Sequence, residues 1–503
     1  MACLLGVDNG LTMTKAVVFD ESGLALGVAR RRIAQRFPAP RQVERDMEEM
    51  WRETAAAIRE AVAASGRPAS DIKAAAVTAH GDGLYLIDRD GHALGAGVLS
   101  LDSRAGDVMQ RWRREGVFDA ALSLTGQSPH VSAPAALLAW MAEHAPQRFA
   151  AIGAVLSAKD WLRFKLTGVV ATDPTEASTS FADPRTQTYS EAALRLYGLE
   201  ALGEALPQIK GCAEVVGGVS AEAAELCGLW PGLPIVTGLH DVTASALGIG
   251  AHEPDTLAIV AGTYSINEVV SSSLRLDARW MARNAVTPGL YNNMAISPAS
   301  TANYDWFIDT FCKAEAGCKA EAGADIHARL AAEYEAARAR PSTALFHPYL
   351  FGSPFGEAAS GAFFGLRGWH ERGDVLRAVM EGVVFNHRVH VDVLREGFAV
   401  KEIRLTGGGS RNPAFAQSFA DALDAPVTVA AVDEAAAFGA ALCAGAGVGL
   451  YPSPQAGARA LVMPAATFTP DAARRADMDR RYAVFCRLAE AMAPVWPQIE
   501  ALA

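Results

Sequence analysis

The 503-residue sequence has little of what marks a membrane, secreted or nucleic-acid-binding protein. It contains no run of about 18 apolar residues, so no membrane span is expected. No basic segment leading into a long apolar stretch opens the chain, so no export signal is expected either. Cysteine is scarce: seven residues (Cys3, Cys212, Cys227, Cys312, Cys318, Cys443, Cys486), an odd number, with no CxxC and no histidine at metal spacing. That pattern excludes a disulfide framework or zinc site and points to a reducing cytoplasm. Positive charge is in the minority, with 45 Lys and Arg against 56 Asp and Glu and a net charge of -11. A phosphate-backbone binder displays the opposite excess, so nucleic acid is not an expected partner.

What is present is globular: 50% hydrophobic and 20% charged residues. The length exceeds what one core usually supports, so two domains are expected. Leu4 to Val7, Ala16 to Phe19 and Leu24 to Ile33, joined by a polar loop and the Glu21-Ser22-Gly23 turn, predict an antiparallel three-strand meander. Asp46 precedes apolar residues at helical spacing and is a plausible N-cap. A strand follows at Ala74 to Thr78. Near mid-chain, TLAIVAGTYSINEVV repeats the opening pattern of apolar run, Gly-hydroxyl loop and apolar run. This repeat predicts two related α/β domains, residues 1–250 and 251–503, each starting with a hairpin, their loops facing one cleft. Later, Asp374 is a candidate cap for a long helix, a strand covers Ile403 to Leu405, and Asn412-Pro413 opens another helix. DEAAAFGAALCAGAGVG predicts a small-residue helix suited to close approach by backbone or a flat ligand.

Three loops carry candidate chemistry. DNGLTMTK combines Asp8, Gly10, the Thr12 and Thr14 hydroxyls and Lys15, a mixture that suits phosphate oxygens, with Asp8 hinting at Mg²⁺ between them. Hairpin turns also collect Asp, Asn, Gly and Thr with no ligand at all. TGGGSRNP follows a strand and opens a helix, which lets backbone approach a ligand at a positive helix end, or makes only a Gly-rich turn with an Asn cap. It is not GxGxxG, so a dinucleotide-binding oxidoreductase is weakly supported. PIVTGLHDVTASALGIGA delivers Asp241 at a helix start, either as an N-cap or as the base that takes a hydroxyl proton during phosphoryl transfer. A helix N-terminus is expected to keep that carboxylate ionised and weakly basic. His80, Asp82, Asp102 and Arg104 follow strands and suit the hydroxyls of a sugar, or are solvated loop charges. His240 reads as a loop or packing histidine.

Taken together, these pieces resemble the FGGY family of carbohydrate kinases over nearly the whole chain. GVDNGLTMTKAVVFD matches that family's GxDxGTTxxKxxxxD hairpin, Gly238 to Asp241 its G-x-x-D loop and AGTYS its second phosphate hairpin. Further resemblance lies in KDWLRFKLTGVVATDPTEAS, HPYLFGSPFGEAASGAFFGL, RAVMEGVVF and TGGGSRNPAFAQSFADALDAPV with EAAAFGAAL. The resemblance implies two ribonuclease H-like domains of the actin-like ATPase type hinged around ATP and Mg²⁺. It further implies Asp241 as general base and a metal neighbour, with Asp8 at the metal. Gly10, Thr12, Thr14 and Lys15 then serve the first phosphate loop, Gly262 and Thr263 the second, and Gly407, Gly408 and Asn412 the adenosine. Gly81, Asp82, Asp102 and Asp241 meet the substrate.

There are departures from the family pattern. Leu11 replaces a usual threonine, Gly352 to Pro354 lacks a Glu-Arg pair, and Ser100 replaces a frequent pocket tryptophan. Gly81-Asp82 stands where xylulokinases carry Met-His and glycerol kinases Arg-Glu. The expected activity is ATP-dependent phosphorylation of a primary hydroxyl of a small sugar, a ketopentose such as xylulose. A glycerol- or erythritol-type polyol kinase is the alternative, and an actin-like or chaperone-type ATPase the alternative from another class. The partners expected are a small sugar or polyol only, with homo-oligomerisation left open.

Overall fold

The computed structural model describes residues 2–312 and 326–502, which leaves Cys318 outside the described residues. The chain divides into two compact units, Met1–Pro254 with Val270–Asn293 and Val432–Met463, and Asp255–Val269 with Met294–Ala431 and Pro464–Ala503. Among the described residues, no helix is long and apolar enough to cross a membrane.

In the first unit, the opening meander forms β1 (Cys3–Asn9), β2 (Met13–Asp20) and β3 (Ala25–Arg32), paired antiparallel in that order. The strand Ile72–Ala79 then pairs parallel to β1, and Pro234–Val236 parallel to Ile72–Ala79. Val215–Gly218 closes the six-stranded sheet. Alternation along β1 separates its faces. Leu5 and Val7 join Met50, Ala57 and Ile58 of α1 (Met47–Ala64) in one core cluster. Asp46 caps α1 by accepting from Glu49 N at 2.9 Å. Gly6 turns the other way, where a Cβ would lie 1.9 Å from Ala437 O, so the helix Ala435–Gly447 rests directly on the strand backbone. Its small residues serve backbone packing: a Cβ on Gly439 would lie 2.0 Å from Ala244 O, and one on Gly248 the same distance from Ala435 O. The two options open in the sequence thus resolve to helix-on-helix contact with Asp241–Gly248.

The second unit repeats the motif. Thr256–Ala261 pairs antiparallel with Ser265–Ser271, and parallel with Glu402–Thr406, which pairs parallel with Val427–Ala430. Pro464–Phe468 adds antiparallel beyond that. The long helix Arg372–Gly397 starts differently from expectation: Glu371 is the N-cap, and Asp374 sits at the third helical position, its carboxylate accepting from Glu371 N at 3.0 Å. The two residues satisfy reciprocal backbone donors, which a lone cap at Asp374 would not do. Asn412 and Pro413 open Pro413–Leu423 as expected, with Asn412 Oδ1 accepting from Ala414 N at 3.0 Å.

Candidate active site

The first hairpin sets Asp8 directly opposite Lys15. Lys15 Nζ lies 3.7 Å from Asp8 Oδ2 and 3.0 Å from Glu434 Oε2, and Glu434 also binds Arg30. Burial opposes the Lys15 charge, but Asp8 and Glu434 outweigh it and raise the ammonium pKa. Burial raises Asp8 more than Lys15 lowers it, with Glu434 adding to the rise. Arg45, fully buried, donates to Asn9 Oδ1 at 2.9 Å and to the Gly10 and Leu11 carbonyls, fixing the loop from behind. Thr12 is exposed on that loop. Thr14 is not: it is buried, its Oγ1 3.3 Å from Thr54 Oγ1, because the two-residue period of β2 turns it away from the face that carries Lys15.

Asp241 occupies the first position of the helix Asp241–Gly248, one residue past its N-cap, His240. Its Oδ1 accepts from Val242 N at 2.7 Å. Burial, then the Asp8 charge, push its pKa up to about 8, Asp82 adding to the rise and Arg283 opposing it. This corrects the expectation of a weakly basic carboxylate, since desolvation and two neighbouring carboxylates exceed what one helix turn supplies. His240 is packed and neutral: burial holds it down to about 4, and a Cβ on Gly81 would lie 1.7 Å from its Nε2. Its Nδ1 is 3.4 Å from Asp241 Oδ1 but outside hydrogen-bonding geometry.

The loop reaching Asp241 is anchored from behind by buried charge. Lys159 Nζ contacts Asp160 Oδ1 at 2.6 Å and Asp173 Oδ1 at 2.9 Å, and Arg163 donates to Asp160 and to Thr237 O. Thr175 Oγ1 donates to Asp173 Oδ2 at 2.5 Å and accepts from His240 N at 2.9 Å. Gly238 takes φ +78, where a Cβ would meet Val77 O at 2.1 Å. The KDW…TDPTEAS stretch therefore serves to hold the backbone immediately before Asp241.

Asp82 follows at φ +56, with Arg283 Nη2 3.2 Å and His130 Nε2 3.3 Å from its Oδ1. Burial opposes its ionisation, but Arg283 and His130 hold its carboxyl far below the usual range. His80 is buried against the Tyr85 hydroxyl at 2.9 Å and pushed down to about 3 by burial and Arg45. Behind Asp82 is a cavity of about 40 Å³, lined also by Glu176, Asp160 and Thr172. It has room for roughly three waters, not for a sugar. Glu176 is buried there with Oε2 unpartnered, and burial raises its pKa well above the usual range. Asp102 lies apart from this group: it is buried, accepts from Val43 N at 2.7 Å and pairs with Arg104, which also binds Glu44. With its oxygens occupied internally, it braces the turn.

In the second unit, Gly262 O accepts from the Thr301 hydroxyl at 2.6 Å, and Thr263 is exposed. Gly407, at φ +95, lies against the end of the first strand, where a Cβ would fall 2.5 Å from Ala261 O. The two glycine loops of this unit thus meet. A Cβ on Gly408 would meet nothing within 4 Å. The Asn412 side chain is engaged as a helix cap. Arg283, Glu434, His130 and Thr175 escaped the sequence reading. Only the TDPTEAS resemblance, without assigned roles, pointed toward Thr175.

This constellation of carboxylates beside a polar hairpin, with the motif duplicated, defines a phosphotransferase-type architecture. Residues 3–248 match the N-terminal domain of the FGGY family of carbohydrate kinases and residues 257–448 its C-terminal domain. The chain belongs to that family and is an ATP-dependent carbohydrate kinase. It is 32% identical over 492 residues to an L-xylulose/3-keto-L-gulonate kinase of Escherichia coli strain K12, covering 97% of each chain. It is 30% identical to an erythritol kinase of Brucella abortus, covering 99% of this chain and 97% of the relative. The crystal structure of a xylulose kinase from Rhodospirillum rubrum superposes with a TM-score of 0.86 at 30% identity, covering 98% and 99% of the two chains. The two-unit ribonuclease H-like fold is therefore that of the FGGY sugar kinases.

Proposed function

We propose that the enzyme transfers the γ-phosphoryl of ATP to a primary hydroxyl of a pentulose of the xylulose type, with Asp241 as the base. The observation that carries this reading is the placement of Asp241: at the first position of its helix, its carboxylate held by Val242 N and its backbone by Thr175 through His240 N, within electrostatic reach of Asp8 and Asp82. A carboxylate so positioned is suited to take the hydroxyl proton as the acceptor attacks, a step that needs orientation more than basicity. Thr175 and the buried cluster behind it fix the carboxylate, and Asp82 with His130 offers polar groups to the sugar hydroxyls. Lys15 serves the phosphates of the first hairpin, and Gly262, Thr263, Gly407, Gly408 and Asn412 are assigned to the nucleotide. The similarity to the Rhodospirillum rubrum xylulose kinase supports a pentulose acceptor, as does the L-xylulose in the name of the Escherichia coli kinase, which also carries the sugar acid 3-keto-L-gulonate.

Asp8 and Asp241 fit Mg²⁺: two mutually repelling carboxylates, both raised, match the one or two carboxylates by which this ion is usually held. When bound, the ion supplies positive charge to the phosphates. A reducing cytoplasm is the proposed location, on the odd number and wide scatter of the seven cysteines along the sequence.

A polyol acceptor is the second reading, favoured by the erythritol kinase relative. Competition among xylulose, ribulose, erythritol and glycerol in a coupled ADP assay separates the two. For the mechanism, Asp241→Asn is expected to lower kcat roughly 10²- to 10⁴-fold. Near-normal turnover of that variant on the accepted substrate refutes the assignment. Family membership sets aside the ATPase and oxidoreductase alternatives.

A further inference from the structure

We propose that the Asp82–Arg283 pair makes the acceptor pocket selective for uncharged polyhydroxy substrates and excludes sugar acids. This inference rests on the kinase reading above and deepens it. Arg283 comes from the short strand Met281–Asn284, and its side chain is only 3% exposed. Its Nη2 donates to Asp82 Oδ1 at 3.2 Å and its Nε to Gln127 Oε1 at 3.0 Å, so the buried guanidinium is engaged on two edges. Gln127 cannot turn its carbonyl away without losing the bond from its Nε2 to Ser178 O.

Asp82 is equally fixed. Its left-handed backbone is followed by Gly83 at φ +75, and the turn is tied down by Gly83 N donating to Ser132 O and Leu84 N to Val98 O, both at 2.9 Å, which holds the carboxylate on Arg283. Lys15, beside Asp8, is engaged by Glu434 and Asp8. A substrate carboxylate entering here finds Arg283 already paired with Asp82, and Lys15 with Asp8 and Glu434, so it gains no counter-charge to offset the loss of its hydration. A charge brought into a desolvated site without a partner is how a site rejects a wrong ligand. A hydroxyl meets no such barrier, because an ionised carboxylate accepts its proton as a hydrogen bond.

The test measures kcat/KM with ATP for a neutral panel (xylulose, ribulose, erythritol, glycerol) and an acidic panel (gluconate and a 3-keto-aldonate), at pH 7.5 and fixed ionic strength. Wild type is expected to favour its best neutral substrate over its best acid by about 100-fold, the scale of a charge desolvated without a partner. In Asp82→Asn, where Arg283 keeps its position and loses its counter-charge, that ratio is expected to narrow at least about tenfold through a gain on the acids. In Arg283→Gln it is expected to widen. A wild-type preference below about tenfold, or a folded Asp82→Asn protein whose ratio is unchanged, overturns the inference. If neither variant folds by circular dichroism, the wild-type ratio decides alone. Wild type that turns over acids but not neutral sugars overturns this inference and leaves the kinase reading intact. Wild type that phosphorylates neither panel overturns the kinase reading.

Discussion

The two hairpins share one backbone design and differ in what they carry. In the first, Asp8 stands opposite Lys15; in the second, Val260 stands opposite Ile266, each one pair back from the last pair before the loop. The first is backed by charge, from Arg45 behind its carbonyls to Glu434 on Lys15. The second is backed by neutral polar groups: Asn267 Oδ1 meets His387 Nδ1 at 2.8 Å, and His387 Nε2 meets Ser300 Oγ at 3.1 Å. Burial keeps His387 neutral. The same strand-loop-strand thus carries a charged cross-strand pair beside its loop in one unit and an apolar pair at the matching place in the other. The duplication preserved geometry, and the side chains at two cross-strand pairs divided the chemistry.

The sharpest way to break this comparison is to neutralise the charged hairpin. Asp8→Asn is expected to lower kcat by roughly two to three orders of magnitude, since it removes a carboxylate suited to a metal ion that stabilises transferring phosphate. Val260→Ala, the matching position, is expected to cost about 1 kcal/mol of stability with kcat within a factor of about three. Steady-state kinetics alongside urea unfolding distinguish the two, and equal kinetic losses would refute the division of roles.

Next in size is a packing contrast between the glycines. Gly6→Ala drives a methyl into Ala437 O and is expected to cost about 3 kcal/mol or more. Gly262→Ala has its nearest atom outside the adjacent backbone at 4.0 Å, the Val260 side chain, and is expected to leave the unfolding midpoint within about 0.5 kcal/mol of wild type. A stable Gly6→Ala protein contradicts the seating of the Ala435–Gly447 helix on β1.

Thr175→Val removes the acceptor for the His240 N–H and loosens the backbone that aims Asp241. A loss of about tenfold in kcat with KM for ATP unchanged is expected, because a small misplacement of a reacting group is costly. A rise in KM for ATP with unchanged kcat would contradict a positioning role.

The last effect vanishes at neutral pH. His390 is buried on Ser297 Oγ at 2.9 Å and held down to about 4 by burial, against 6.5 for a free imidazole. Its folded value is depressed, so the unfolded chain binds the proton first. Stability is therefore full above pH 6.5 and lost as pH falls toward 4, by about 1.4 kcal/mol per pH unit for this residue. The stability gap between wild type and His390→Gln, measured by urea unfolding, is expected to shrink between pH 6.5 and 5. A gap that holds or grows would show that the imidazole is protonated in the native protein.

Much of the frame was legible in the sequence because it is written in local periods and turn chemistry. Alternating apolar runs gave both hairpins, and Asn412-Pro413 gave a helix start that the structure reproduces residue for residue. Asp241 was visible because a strand, a glycine and a helix start surround it. Asp374 was misjudged by three positions, since Glu371 competes for the same role and a reciprocal cap looks like a single one in sequence. Thr14 and Asp102 carry polar groups in polar stretches, yet face Thr54 and Arg104 inside the protein.

The sequence by itself determined the duplicated hairpins, the glycine loops and an aspartate at the head of a helix, because each depends on residues within a few positions of one another. Only the tertiary structure decided the charges of the site. Arg283 reaches Asp82 across 201 residues and Glu434 reaches Arg30 across 404. The basicity of Asp241 depends on burial and on Asp8, a distant carboxylate brought beside it by the sheet. Electrostatic energy depends on separation in space and on access to water, and neither quantity is encoded in spacing along the chain.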